Sequence, residues 1–98
     1  MLFAVIYKSK STSEELDQRA MSLSKNSSPP EELELQSHHV FADNSGGLAI
    51  VEASSAESLL AGTAPWSVFN EYTIHPLVEF SAAMTIFDKA LTWRKSVS

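Results

Sequence analysis

The chain has 98 residues, of which 44% are hydrophobic, and we interpret it as a single folded domain spanning residues 1–98. Its net charge of −5 and its scattered lysines and arginines disfavour binding to nucleic acid or to an anionic membrane. The sequence contains no cysteine, which excludes disulfides, thiolate metal ligands and a cysteine nucleophile.

The apolar stretches are short. Residues 2–6 follow no basic segment and run directly into Lys8, so we expect no signal peptide. No stretch approaches the roughly 20 apolar residues of a membrane-spanning helix. We therefore expect a soluble protein of the cytoplasm.

Residues 2–8 predict a strand that is covered on both sides, because both of its alternating sets of side chains are apolar. Residues 14–26 predict the first helix. Thr12 and Glu15 ahead of it have the spacing of a capping box, in which each side chain pairs with a backbone N–H group. The serines and prolines of residues 27–30 predict a loop.

Residues 33–41 alternate clearly between apolar and polar types and predict a half-exposed edge strand. Strict alternation places one set of side chains on the covered side: Leu33, Leu35, Ser37, His39 and Phe41. We therefore expect a largely buried His39 and a solvated His38.

Residues 43–47 predict the turn of a hairpin, and residues 47–53 predict a second strand that is apolar on both sides. A second helix is expected from about Ser55 to Ala61. Ser54 and Glu57 have the spacing of a capping box at the start of this helix, and Gly62 is expected to end it.

Residues 70–79 predict a fourth strand, and Pro76 within it favours an edge position because proline cannot donate to the ladder. A third helix is expected over about residues 81–94, after a core of residues 1–80. The order is β-α-β-β-α-β-α. We predict an α+β, ferredoxin-like βαββαβ domain with an extra C-terminal helix and a four-stranded antiparallel sheet.

Both helices of a ferredoxin-like domain cover the same side of the sheet. The two strands expected at its centre are apolar on the other side as well, and monomers rarely expose so large an apolar surface. We expect a homodimer in which two sheets pack together as a dimeric α/β barrel. The alternative is that the C-terminal helix folds back over this side.

The start Met1-Leu2-Phe3-Ala4-Val5-Ile6, the hairpin end at residues 47–52, Trp66-Ser67 and the proline-containing last strand resemble a family of small proteins, domain of unknown function 3303. The resemblance covers residues 1 to about 80. It implies membership of the dimeric α/β-barrel superfamily, which also includes small cofactor-independent monooxygenases of antibiotic biosynthesis. Ser37-His38-His39 departs from the pattern, in which a tryptophan precedes a single histidine.

His39 and His75 are the candidate catalytic residues. Because adjacent strand residues point to opposite sides, His38 and His39 cannot hold one metal ion. His75 lies about 14 Å away if the second and fourth strands are opposite edges, beyond shared coordination. We therefore predict no metal site and no cofactor. A buried, hydrogen-bonded core histidine explains His39 at least as well as catalysis does.

An aromatic group is the candidate lining of a cleft between sheet and helices, although core packing explains it equally well: Tyr7, Trp66, Phe69 and Tyr72. Three functions stay open. The first is binding of a small, largely apolar organic molecule. The second is a cofactor-independent oxygenase or isomerase that uses a pocket histidine. The third is a structural or regulatory module that binds another protein.

Overall fold

The computed structural model describes residues 1–10, 13–26 and 30–97, so Thr12 of the predicted capping box lies outside the described residues. The predicted order of βαββαβ followed by a C-terminal helix is confirmed. The elements are β1 (Leu2–Ser9), α1 (Glu14–Asn26), β2 (Leu33–Val40), β3 (Gly46–Ala53), α2 (Ala56–Thr63), β4 (Asn70–Pro76) and α3 (Phe80–Val97), with a 3-10 turn over Ala64–Trp66.

The four strands form one antiparallel sheet in the order β2-β3-β1-β4. The two strands that are apolar on both sides, β1 and β3, therefore lie at its centre, as predicted. β2 and β4 are the opposite edges. Pro76 ends β4 at the sheet edge, where a missing N–H group costs no ladder hydrogen bond.

The sheet has two sides that differ in what covers them. On the helix side, buried side chains of β1 and β3 pack with Leu59 of α2: Phe3, Val5, Ala49, Val51 and Ala53. On the open side, the alternate residues of the same strands are only half-buried: Leu2, Ala4, Ile6, Leu48 and Ile50. Tyr72 and Ile74 of β4 lie on the helix side.

A β-bulge in β2 overturns the predicted faces of its second half. Leu35 pairs with Val51, but Ser37 pairs with Ile50, so Gln36 is an extra residue in the ladder. An extra residue reverses the side of every side chain that follows it. His38 consequently lies on the helix side and His39 on the open side, and both are exposed. The prediction of a buried His39 is therefore wrong.

The β2–β3 hairpin closes through residues 41–45, a loop of the predicted length. Asn44 has a φ of 63°, a left-handed conformation that asparagine adopts more readily than most residues. The Asp43 carboxylate accepts hydrogen bonds from the Ser45 amide at 3.0 Å and the Ser45 hydroxyl at 2.6 Å. These bonds hold the loop in one conformation.

The helix caps differ from the predicted ones by single residues. Ser55, not Ser54, caps α2, because its side chain accepts from the Ser58 amide at 3.1 Å. Gly62 does not stop α2, which continues to Thr63. A Cβ atom on Gly62 would overlap the side chain of Leu33, so the glycine instead allows α2 to approach β2 closely.

The C-terminal helix α3 does not fold back over the open side. None of its residues is buried, and the chain has principal extents of 60 × 30 × 19 Å. An 18-residue helix is about 27 Å long, so its projection accounts for much of the longest extent. Among the described residues, no helix has the length and apolar character needed to span a bilayer.

Candidate functional site

A tyrosine and a histidine meet on the helix side of the sheet. The hydroxyl oxygen of Tyr7 on β1 lies 2.6 Å from Nε2 of His38 on β2, and the ring centroids are 5.6 Å apart in an edge-to-face arrangement. Strands β1 and β2 are separated by β3, so their axes lie about 10 Å apart. The tyrosine side chain spans this distance by crossing the surface of β3.

Two small residues of β3 leave the space for this crossing. Gly47 pairs directly with Tyr7, and a Cβ atom on Gly47 would overlap the Tyr7 hydroxyl and ring. Ala49 pairs with His38 on the other flank. Gly47 is thus required for the close approach of an aromatic ring, and not for an unusual backbone conformation.

A second tyrosine extends this group towards the other edge of the sheet. Tyr72 of β4 pairs with Tyr7, and the ring centroids are 6.2 Å apart with an interplanar angle of 52°. The Asn70 side-chain amide donates to the Tyr72 hydroxyl at 3.4 Å. Tyr7, His38, Asn70 and Tyr72 are referred to below as the tyrosine–histidine cluster.

Partial burial sets the protonation of both phenols. Desolvation raises the pKa of Tyr7 above its ordinary value, and it raises the pKa of Tyr72 more than the Asn70 hydrogen bond lowers it. Both phenols are therefore protonated at neutral pH. The Tyr7 hydroxyl donates to Nε2 when the His38 ring carries its proton on Nδ1, and it accepts from Nε2–H when the proton is on Nε2.

The four aromatic residues selected from the sequence form two pairs. Tyr7 contacts Tyr72, and Trp66 contacts Phe69 with ring centroids 6.2 Å apart. Within residues 30–97 and the described N-terminal part, no ring contact joins one pair to the other. Phe69 is buried immediately before β4 begins, and Trp66 is half-buried in the 3-10 turn.

The two histidines proposed as catalytic lie elsewhere. His39 pairs with Leu48 at one edge of the open side, and His75 pairs with Ala4 at the other edge. Both are exposed. Three strand spacings, about 14 Å, separate them. Across the described parts of the chain, no group of three histidine, aspartate or glutamate side chains is placed to hold a metal ion.

The open side also carries a shallow depression of about 260 Å³ at the end of the sheet next to the hairpin loop. Its lining includes an oppositely charged cross-strand pair, Lys8 and Glu71. At the other end of this side, the Glu52 carboxylate pairs with the amino group of Met1.

Comparison with known families gives one match. A family model described as domain of unknown function (DUF3303) matches residues 1–91. The chain belongs to this family. No curated protein and no solved structure matches the chain. The DUF3303 match covers all four strands and most of α3, so the tyrosine–histidine cluster lies entirely within the matched region.

His38 and Asn70 are the members of the cluster that sequence reasoning did not select. His38 is exposed, as expected, but strict alternation through Leu33 and Leu35 placed it on the wrong side of the sheet. The contact with Tyr7 depends on the strand register, in which Gly47 lies directly opposite Tyr7 and leaves room for its ring.

Proposed function

We propose that this DUF3303 protein binds a small, largely apolar organic molecule that carries one hydroxyl or carbonyl group, at the tyrosine–histidine cluster. The observation that carries the proposal is the 2.6 Å contact between the Tyr7 hydroxyl and His38 Nε2 on an otherwise aromatic and aliphatic surface. Small-molecule sites combine an apolar lining with a few polar groups that orient the ligand. The cluster has this composition.

The surroundings of the cluster support an apolar ligand. Val5, Ala49 and Ile74 continue the helix side beyond the two tyrosine rings, and none of them is charged. The polar side-chain atoms on this part of the sheet are those of the phenols, the imidazole, the Asn70 amide and the Ser9 hydroxyl. A ligand with one polar group therefore satisfies the site, whereas a highly charged ligand has no lysine or arginine to pair with on this part of the sheet.

The test uses 1-naphthol as the probe and naphthalene as the matched probe without a hydroxyl, each titrated into isotope-labelled protein by NMR. We expect naphthol to shift the resonances of Tyr7, His38 and Tyr72. Tyr7→Phe should weaken naphthol binding by about threefold to tenfold, as expected for one lost hydrogen bond, and should leave naphthalene unchanged. Shifts confined to other regions would contradict the proposal.

We also propose that the protein is a homodimer of the dimeric α/β-barrel type, built by packing the open sides of two sheets. The half-buried side chains of Leu2, Ile6 and Ile50 support this arrangement, because a second sheet would complete their burial. The cytoplasm stays the expected location, from the composition of the chain.

Sedimentation velocity tests the packing of the open sides. Ile50→Lys places a charge at the centre of the proposed contact and should raise the dimer dissociation constant by at least about tenfold. Gln18→Lys, on an exposed position of α1, adds the same charge elsewhere and is the matched control. An unchanged dissociation constant in Ile50→Lys would exclude this interface.

A second candidate function is proton transfer at the same cluster, in a cofactor-independent isomerase or oxygenase. The Tyr7–His38 hydrogen bond favours it, because a phenol hydrogen-bonded to an imidazole can pass a proton between the imidazole and a bound enol or phenol. In this hypothesis His38 takes the role first assigned to His39 or His75. His38→Gln would then abolish turnover while naphthol binding persists.

A further inference from the structure

The C-terminal helix α3 presents a broad apolar sector to solvent. Large side chains at helical spacing lie on one half of its circumference, and each is between 46% and 77% exposed: Phe80, Met84, Ile86, Phe87, Leu91 and Trp93. The opposite half carries Ser81, Thr85, Asp88, Lys89, Thr92 and Ser96. A helix with such a division packs its apolar half against another surface.

The size of this sector matches an interface. The three aromatic and three aliphatic side chains expose roughly 600 Å² in total, taking about 150–250 Å² for a whole aromatic side chain. A standard interface buries about 800 Å² on each partner. The sector is also at the upper end of the apolar patches that monomers leave in water, about 300–600 Å².

The charges of the chain are divided so that α3 is complementary to the rest. α3 contains Lys89, Arg94 and Lys95 against a single acidic residue, Asp88. Between Asn26 and Asp88 the sequence contains no lysine or arginine. An acidic surface with an apolar centre is therefore the partner that α3 fits.

The edge strand β2 provides such a surface. Leu35 and Val40 lie on its helix side and are 51% and 65% exposed, and Leu60 of the adjoining α2 is 66% exposed. Glu31 and Glu32, which immediately precede β2, and Glu57, one turn before Leu60 in α2, are also exposed. β2 also leaves one row of backbone groups unpaired by the sheet, an edge that proteins commonly cover.

α3 and β2 of one chain are not in contact. α3 follows β4, which is the edge opposite to β2, and none of its residues is buried. Two copies related by two-fold symmetry satisfy both surfaces at once, since each copy donates α3 and receives the partner's helix on β2. The two equivalent contacts together reach the size of a stable dimer interface.

We propose that α3 of one copy docks on the helix side of β2 of a second copy, with its apolar half on Leu35 and Val40 and its basic end beside the glutamates. His38 lies between Leu35 and Val40 on that side of the strand. The partner's helix therefore covers the tyrosine–histidine cluster and supplies the missing apolar wall. This second role rests on the ligand-binding function proposed above; the docking itself does not.

Sedimentation velocity of the full chain over a concentration series tests the docking. Phe87→Glu should raise the dimer dissociation constant by at least about tenfold. Thr92→Glu, on the polar half of the same helix, should leave it unchanged. Circular dichroism checks that both variants are folded. An unchanged dimer dissociation constant in Phe87→Glu would overturn the docking, as would a monomeric wild-type protein.

A charge exchange identifies the partner as a second copy and does not depend on an apolar substitution. Arg94→Glu with Lys95→Glu should weaken the homodimer, as should Glu31→Lys with Glu32→Lys. Mixing the two double variants should restore association, because both contacts of the mixed dimer then pair opposite charges, one in the native sense and one reversed. Failure to associate on mixing would overturn the assignment of β2 as the docking surface.

Naphthol binding separates this inference from the proposed function. If the partner's helix completes the site, Phe87→Glu lowers both dimerisation and naphthol affinity. Undiminished naphthol binding in a monomeric Phe87→Glu protein would show that the partner's helix forms no part of the ligand site. The proposal of ligand binding at the cluster would then still stand. Loss of binding in Tyr7→Phe and Tyr72→Ala with an intact dimer would support the ligand site independently of α3.

Discussion

The two sides of β1 and β3 are equally apolar, but the rest of the molecule packs on only one of them. On the helix side, Phe3 and Val5 are buried under α2 and its neighbours. On the open side, Ile6 and Ile50 of the same strands stay half-buried. Alternation along a strand determines which side a residue occupies, but the layer packed on that side determines how much water it loses.

This difference shows where the free energy of folding a single chain is concentrated. Burial stabilises in proportion to the apolar area removed from water, about 25 cal/mol per Å². On the helix side, most of the stabilisation from apolar burial is gained within one chain. On the open side, the remaining stabilisation is gained only when a second surface covers the sheet. Substitutions on the two sides should therefore differ in size and in their dependence on protein concentration.

The largest difference is expected between Phe3→Ala and Ile6→Ala. Phe3→Ala leaves a cavity under α2 and should reduce the free energy of unfolding by about 3–5 kcal/mol. Ile6→Ala, at a half-buried position, should cost about 1–2 kcal/mol in dilute protein. Urea denaturation monitored by circular dichroism measures both values.

Protein concentration sharpens this first test. If a second copy covers the open side, the loss for Ile6→Ala should grow as the wild type becomes dimeric, because binding stabilises only the folded state. The loss for Phe3→Ala should not depend on concentration through its own contacts. If both variants lost the same free energy of unfolding at every protein concentration, the two sides would not differ in how they are covered.

Gly47→Ala tests the close packing of the helix side. The new methyl group would overlap the Tyr7 ring and lie 2.7 Å from the His39 carbonyl oxygen, and overpacking of this kind costs about 1–3 kcal/mol. Tyr7→Ala in the same chain should recover the part of this loss that comes from the ring and leave the part that comes from the backbone oxygen. A double-mutant cycle measures the coupling, and additive losses would show that Tyr7 does not lie over Gly47.

Alkaline pH should weaken the helix side through its two phenols. Folding raises the pKa of Tyr7 and Tyr72, so their contribution to stability is fully present below the unfolded pKa of 10.0 and is lost as pH rises through the folded values. Denaturation at pH 8 and at pH values above 10 measures the loss. Tyr72→Phe should flatten the dependence, and an unchanged slope would exclude burial of this phenol.

The smallest effect is expected in the hairpin loop, which belongs to neither side. Asp43→Ala removes two acceptor bonds and should lower the free energy of unfolding at neutral pH by less than any of the substitutions above. The Ser45 hydrogen bonds lower the pKa of Asp43, so this contribution is present above pH 3.8 and is lost as pH falls through the folded value. Asp43→Asn keeps the acceptor oxygen and should remove the acid dependence alone.

Much of this architecture follows from local patterns in the sequence. The two-sided apolar runs of β1 and β3 predicted central strands, and Pro76 predicted an edge. These inferences depend only on side-chain alternation and on the missing proline N–H group. The helices were located with the help of their capping residues. Cap positions shifted by single residues because Ser54 and Ser55 are chemically equivalent as caps.

The candidate site was harder to predict because it depends on contacts between distant strands. Tyr7 and Tyr72 were selected for their aromatic character, but that they pair with each other can be inferred only from the strand register. His38 was assigned to the wrong side of the sheet because the bulge at Gln36 leaves no pattern in the apolar residues around it. The outward projection of α3 is set by packing between elements, which periodicity within the helix does not describe.

The bulge has a consequence for chains that differ in length. Because Leu35 and Ser37 already pair with consecutive residues of β3, Gln36 occupies no place in the ladder. A natural or engineered chain that lacks this one position would keep the same histidine opposite Ala49. A chain in which the position joins the ladder would present His39 to Tyr7 instead. Aligning such proteins by their adjacent histidines would therefore equate residues that lie on opposite sides of the sheet.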